Sequence, residues 1–161
     1  MIKLICSLLA IVIIGTPNLE IREDIPLSGE VQLHAVEQAE LREVPVELVY
    51  AIMNVESSFR VDVISTTNDW GLMQINEVNH EWLRDLLDIE DYLDPFDNII
   101  AGTFMIGWLY NKYECEHLAL MAYNHGEGRA SYYWDKGVVE SNYSRKVVNL
   151  YETYRETEGD S

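Results

Sequence analysis

From Gly29 onward the apolar residues of this chain recur at helical spacing, and no stretch shows the strict alternation of a half-buried strand. Val31, Ala35, Val36 and Ala39 share one helical face and predict a helix over about residues 29–42. Pro45 suits the first turn of a second helix, whose stripe is Leu48, Val49, Ile52, Met53 and Val55 and which ends near Glu56. Residues 57–70 lose the period and gather Ser, Thr, Asn and Asp, the chemistry of a loop. Leu72 to Ile75 is read as a short extended piece before a helix of about 77–87. Asp94-Pro95 opens the longest run, with Phe96, Ile99, Ile100, Phe104, Met105, Trp108 and Leu109 expected to face inward. Helices near 117–123, 127–135 and 142–156 complete the pattern. The chain is therefore expected to be mainly α, with at most a small β-hairpin.

A length of 161 residues predicts one folded domain, and 48% hydrophobic residues suffice for a core. The formal charge of −17 excludes nucleic acid as a partner, because phosphate binding needs clustered Lys and Arg, and only Arg145-Lys146 are adjacent. Lys3 followed by the apolar run Leu4 to Ile14 and by Gly15-Thr16-Pro17 has the layout of a secretory signal over residues 1–18. Ile13 and Ile14 make a poor cleavage site, so an uncleaved membrane anchor through residues 4–14 is the alternative reading. Either way the protein is expected to be exported. Residues 19–28, with Pro26 and several charges, read as a linker to a domain over 29–157. Cys6 lies in the apolar run, which leaves Cys115 without a disulfide partner if the segment is removed. The carboxylates of Glu114 and Glu116 flank Cys115 and would blunt it as a nucleophile.

Glu56 is the residue on which chemistry can be built. It ends an apolar helix, and apolar surroundings disfavour the charged carboxylate, so its pKa is expected to rise until it holds a proton near neutral pH. That proton is what a glycosidic oxygen needs in order to leave. Metal chemistry finds no support: His80-Glu81 lacks a second His, and His34, His117 and His125 have no companion spacing. No metal and no cofactor is expected.

Four pieces in order, Glu56-Ser-Ser-Phe59, Ser65, Gly71-Leu-Met-Gln-Ile75 and Ala122-Tyr-Asn-His-Gly126, resemble the catalytic domain of soluble lytic transglycosylases, within the wider lysozyme superfamily. The resemblance runs from about residue 30 to residue 156. It implies a lysozyme-like helical domain with any hairpin near the cleft, and peptidoglycan glycan strands as substrate. Glu56 would be the catalytic acid. Ser65 would orient substrate or the acid, Gln74 would bind in the cleft, and Met73 would offer the sugar a soft wall or pack in the core. Gly71 would let the backbone approach bound sugar. Tyr123 would lie beside the acid and donate to it, Asn124 would shape the cleft, and Tyr143 resembles a later Tyr near the cleft. The activity implied is cleavage of the MurNAc-β-1,4-GlcNAc bond with a 1,6-anhydro product, by a scheme in which one acid/base suffices. A monomer is expected.

The chain also departs from the family. Arg60-Val-Asp-Val-Ile64 stands where Pro-x-Ala is usual, and Asn76 replaces the usual Pro after the Gln segment. The segment Asn68 to Asn76 looks closer to small specialised transglycosylases of secretion and conjugation machinery, which makes such machinery a candidate partner. It is also similar to the Asp-Tyr-Gly segment of animal-type lysozymes, whose Asp is a second carboxylate. Asp69 is thus read in two ways. The preferred one is an Asx-turn residue bonded to its own loop. The other is the second carboxylate of a hydrolysing muramidase. A peptidoglycan-binding module without turnover is a third reading of the whole chain, opposed by the intact Glu56.

Overall fold

A computed structural model describes residues 21–158, and the apolar segment read as a signal or anchor lies outside them. Among the described residues there are seven α-helices and one two-stranded antiparallel hairpin. In chain order these are α1 (Gly29–Leu41), α2 (Val46–Ser57), β1 (Asp69–Trp70), β2 (Ile75–Asn76), α3 (His80–Leu87), α4 (Pro95–Tyr113), α5 (Glu116–His125), α6 (Glu127–Trp134) and α7 (Asn142–Glu158). The mainly α expectation holds. No helix among the described residues is long and apolar enough to cross a membrane.

The helix starts follow from their capping residues. Ser28 accepts from the Val31 N–H at the head of α1. At the head of α4, Asp94 accepts from the N–H groups of Phe96 and Asp97, and Pro95 supplies the fixed φ of the first turn. α2 is buried on nearly every side: Leu48, Val49, Tyr50, Ala51, Ile52 and Met53 are at most 1% exposed. A Leu or Ile so placed stabilises the fold by about 1.5–3 kcal/mol, and Ile52→Ala is expected to cost about 2–5 kcal/mol. α7 packs on α2 and α5, α4 packs on α1 and α5, and α6 on α5. The last turn of α2 is thereby held among helices from the far end of the chain.

Three expectations need correction. The described part of the supposed linker is docked onto the domain: Ile25 is buried, and the Gln32 amide donates to the carbonyls of Arg22, Ile25 and Leu27. Arg22 in turn donates to the Tyr154 carbonyl of α7. Leu72 to Ile75 is not extended throughout, because residues 71–74 form the turn of the hairpin and only Ile75 and Asn76 pair with β1. On α4, Ile99 is buried but Phe96 and Trp108 are not, and Trp108 is half exposed. An apolar stripe does not say whether it meets a core or a cleft, since both call for apolar side chains.

Candidate active site

Glu56 sits one residue before the end of α2, where Ser58 and Phe59 take left-handed φ values and turn the chain out of the helix. It faces a cleft of about 770 Å³ between the hairpin, α4 and α5. Its carboxyl pKa is raised from 4.5 to about 7, chiefly by burial and further by the negative charge of Asp69, against the opposing hydrogen bond from Tyr143. The partial negative charge at the C-terminal end of α2 disfavours its ionised form in the same sense. The carboxyl proton is thus available near neutral pH, as its place in the sequence predicts.

The hydroxyl of Tyr143, in the first turn of α7, donates to Glu56 Oε1 at 2.6 Å. Burial, then the neighbouring charge of Glu56, push the Tyr143 phenol well above its ordinary pKa and keep it a donor. Tyr123, the residue expected to hold the acid, instead donates to the Met73 carbonyl at 2.9 Å and ties α5 to the hairpin turn. The task expected of Tyr123 falls to Tyr143. Tyr123 still lines the cleft, and its phenol is raised by burial first and then by Glu56 and Asp69.

Asp69 lines the same cleft from β1. Its Oδ2 accepts from Ser65 Oγ at 2.7 Å and from Thr67 Oγ1, and its Oδ1 accepts from Asn76 Nδ2 at 2.7 Å. Burial alone would raise its pKa, but the hydrogen bonds from Thr67, Ser65 and Asn76 outweigh it and hold the group below the ordinary carboxylate range. Ser65 is therefore committed to Asp69, and it is not among the residues lining the cleft. Asn76 also donates to the Thr67 carbonyl, two bonds that the proline of the family pattern lacks the atoms to make. Asp69 does bond its own loop, through Ser65 and Thr67, but these donors and Asn76 are side-chain groups and not the backbone N–H of an Asx-turn.

Gly71 has φ +75°, and a Cβ there would come within 2.3 Å of Asn98 Nδ2 and 2.5 Å of the Tyr92 carbonyl. Its close approach is thus to the scaffold, not to the sugar as expected. Buried Asn98 donates to the carbonyls of Trp70 and Tyr92 and accepts from the Met73 N–H, which fixes the turn. Met73 is fully buried, and a Cβ at Gly102 would fall 2.2 Å from its sulfur. It packs into that notch and offers the sugar no wall, which leaves core packing as its task. Gln74 lines the cleft, but its amide nitrogen donates to the carbonyls of Gly71 and Val63, leaving its carbonyl oxygen to accept from a ligand. Asn124 is exposed on the cleft edge.

Sequence reasoning missed the aromatic wall opposite. Trp82 of α3 and Trp108 of α4 are 43% and 50% exposed and line the cleft with Phe104 between α3 and Trp108 on the α4 face. Trp82 Nε1 donates to Asn79, and Lys112, held by Glu127, lies 4.5 Å from the Trp108 ring centroid. Phe104, Trp108 and Lys112 are spaced at i, i+4 and i+8, so a single helical face carries the wall and its support. Rigid aromatic faces of this kind match the apolar C–H faces of pyranose rings. For Phe104 and Trp108 the signal that could have found them is the apolar stripe of α4, read as a cleft lining.

The family model for the transglycosylase SLT domain matches residues 35–145. A membrane-bound lytic murein transglycosylase C from Photorhabdus laumondii is 35% identical over 98 residues, covering 50% of this chain and 27% of that protein. One of the same name from Mannheimia succiniciproducens is 31% identical over 119 residues, covering 63% and 32%. The chain thus spans about a third or less of the curated relatives it matches. Among solved structures, an inactive mutant of the lytic transglycosylase Slt from Pseudomonas aeruginosa superposes with a TM-score of 0.70 at 20% identity, over 84% of this chain and 25% of that one. The 70 kDa soluble lytic transglycosylase from Escherichia coli gives 0.68 at 23%, over 79% and 24%. These likenesses carry the lysozyme-like fold expected from the motifs. On the strength of the family match, the chain belongs to the transglycosylase SLT domain family.

Proposed function

We propose that this protein is a peptidoglycan lytic transglycosylase that cleaves the β-1,4 bond between N-acetylmuramic acid and N-acetylglucosamine, with Glu56 as its single acid and base. The observation that carries the reading is one carboxyl group, protonated near neutral pH, facing a cleft with aromatic walls. Glu56 gives its proton to the bridging oxygen as the C1–O bond breaks and positive charge develops at C1 of the muramyl residue. The substrate's own acetamido oxygen stabilises that centre. The Glu56 carboxylate then takes the proton of the muramyl C6 hydroxyl, and O6 bonds to C1. Glu56 ends protonated, no water is consumed, and the product carries a 1,6-anhydro ring.

Within this scheme Tyr143 holds the carboxyl rotamer through both steps, since its hydroxyl can donate to the acid's carbonyl oxygen and to the carboxylate alike. Asp69 acts on Glu56 through its charge, which favours the protonated acid at the start. The hydrolytic reading, with Asp69 as second carboxylate, has one observation in its favour: Asp69 is ionised and lines the same cleft. Against it, both Asp69 oxygens are already taken by Ser65, Thr67 and Asn76. An envelope location fits the reading, supported by two relatives named membrane-bound and by the apolar run Leu4 to Ile14.

Digestion of purified peptidoglycan followed by mass spectrometry of the muropeptides tests the proposal. Anhydro ends are expected. Products heavier by one water would establish the muramidase instead, and intact peptidoglycan would leave only the binding module.

A further inference from the structure

A third carboxyl group lines the cleft, and the proposed chemistry makes no use of it. Glu127, the first residue of α6, stands there with Trp108 of α4. Its Oε1 accepts from Lys112 Nζ at 2.6 Å and from the Tyr113 hydroxyl, and these bonds, that from Lys112 first, hold the group below the ordinary carboxylate range. Its Oε2 has no partner among the described residues. Glu127 is thus an ionised acceptor, fixed through one oxygen and open through the other.

The same ammonium joins this carboxylate to an aromatic ring. Lys112 Nζ lies 4.5 Å from the Trp108 centroid, so ring and carboxylate flank one charge. Trp108 is half exposed despite that cover, which leaves ring surface open to a ligand. One turn back along α4, Phe104 is likewise backed by a cation, with the Arg42 guanidinium 5.1 Å from its centroid. Lys112 also offsets the charge of Glu127, so the place beside Trp108 gives no advantage to a cationic ligand. A neutral group with hydroxyl donors and an apolar face fits it, and a pyranose is such a group.

The two sugars that alternate in a peptidoglycan strand differ at one oxygen. N-acetylglucosamine has a free hydroxyl at C3, whereas in N-acetylmuramic acid that oxygen is an ether to a lactyl group. An ether has no proton to give, and a carboxylate can only accept. A site that pairs with a hydroxyl discriminates against the analogue lacking it, because the site's own acceptor is left unpaired. We infer that Glu127 is a specificity-determining residue: its Oε2 accepts from the C3 hydroxyl of an N-acetylglucosamine lying on Trp108, and Lys112 and Tyr113 are the positioning residues that aim it. Because the sugars alternate, a place that admits only one of them fixes which of the two bonds of the repeat reaches Glu56. The inference rests on the reading of the cleft as a glycan site.

The test is a ¹⁵N NMR titration of the full chain, read at the Trp108 indole N–H, whose signal is assigned through Trp108→Phe. The probes are the methyl glycoside of N-acetylglucosamine and the same sugar methylated at the C3 oxygen, which lacks the donor but is equally uncharged. Wild type is expected to bind the free hydroxyl about tenfold more tightly, the worth of one charge-assisted hydrogen bond. Glu127→Ala should bind the two sugars alike, and Lys112→Met, which keeps the carboxylate but not its support, should show a reduced preference. Equal affinities in wild type, no shift with either sugar, or a preference that survives in Glu127→Ala would overturn the inference. An undiminished preference in Lys112→Met would remove Lys112 from it. On peptidoglycan, Glu127→Ala should raise KM about tenfold and leave kcat nearly unchanged, and a fall in kcat at constant KM would contradict a role in binding. If wild type cut no peptidoglycan while the Trp108 signal still told the two sugars apart, the proposed activity would fail and the sugar site would stand.

Discussion

The end of α2 and the hairpin each bring a carboxyl group to one cleft, and their surroundings drive the two groups in opposite directions. Glu56 is set in an apolar helix end with a single donor, and burial wins, lifting its pKa to about 7. Asp69 is set among Ser65, Thr67 and Asn76, and three donors outweigh burial and hold it ionised. The difference teaches that the number of hydrogen-bond donors aimed at a carboxylate, more than the cleft it faces, decides which group holds the proton. It also assigns the tasks: a group that already holds a proton can give it, and a saturated carboxylate can act only through its field.

The largest effect expected from breaking this asymmetry is at Glu56. Glu56→Gln keeps the shape but has no proton to transfer, and turnover of peptidoglycan should fall by about 10²–10⁴-fold. The same variant should be more stable than wild type at high pH. A carboxyl whose folded pKa is raised contributes most below its unfolded pKa and loses that contribution as pH rises to the folded one. With values of 4.5 and about 7, the gap between variant and wild type opens across that window and reaches about 3 kcal/mol above it. Thermal melts from pH 4 to pH 8 would show it, and parallel melting curves would contradict it.

A smaller loss, about 10–100-fold in kcat, is expected for Tyr143→Phe, which removes the hydrogen bond from Tyr143 to the acid. Because that bond lowers the Glu56 pKa, its loss should move the high-pH limb of the kcat/KM profile to higher pH. Asp69→Asn should keep activity within about tenfold and move the same limb the other way, since the charge removed is one that raises Glu56. Limbs moving in the same direction in both variants would break the comparison, and collapse of the Asp69 variant would favour the muramidase. The smallest effect belongs to Asn76→Ala. It removes one of three donors from Asp69 and should cost about 1 kcal/mol in stability, measured by urea unfolding, with little change in turnover.

Glu56 was legible because the pattern that marks it is local: it ends a run of apolar helix positions. The helices and the hairpin were legible for the same reason. What escaped depends on packing between distant segments. Tyr123 and Tyr143 are both plausible partners for the acid in one dimension, and only the packing of α7 on α2 decides that Tyr143 reaches it. Met73 reads as a soft wall until Gly102, on another element, opens the notch that takes it. Ser65 is the exception: its tie to Asp69 lies within one loop, four residues away, but a hydroxyl there serves a substrate or a neighbouring carboxylate equally well on paper. Trp108 was hidden inside a stripe that fits a core equally well.

The most direct measurement is a titration of the side-chain carboxyl carbons of Glu56 and Asp69 by ¹³C NMR on the wild-type protein, with each signal assigned through its amide variant. Glu56 should titrate near pH 7 and Asp69 below the ordinary carboxylate range. A Glu56 that titrates near 4.5, or an Asp69 that holds its proton to higher pH than Glu56, would contradict the account.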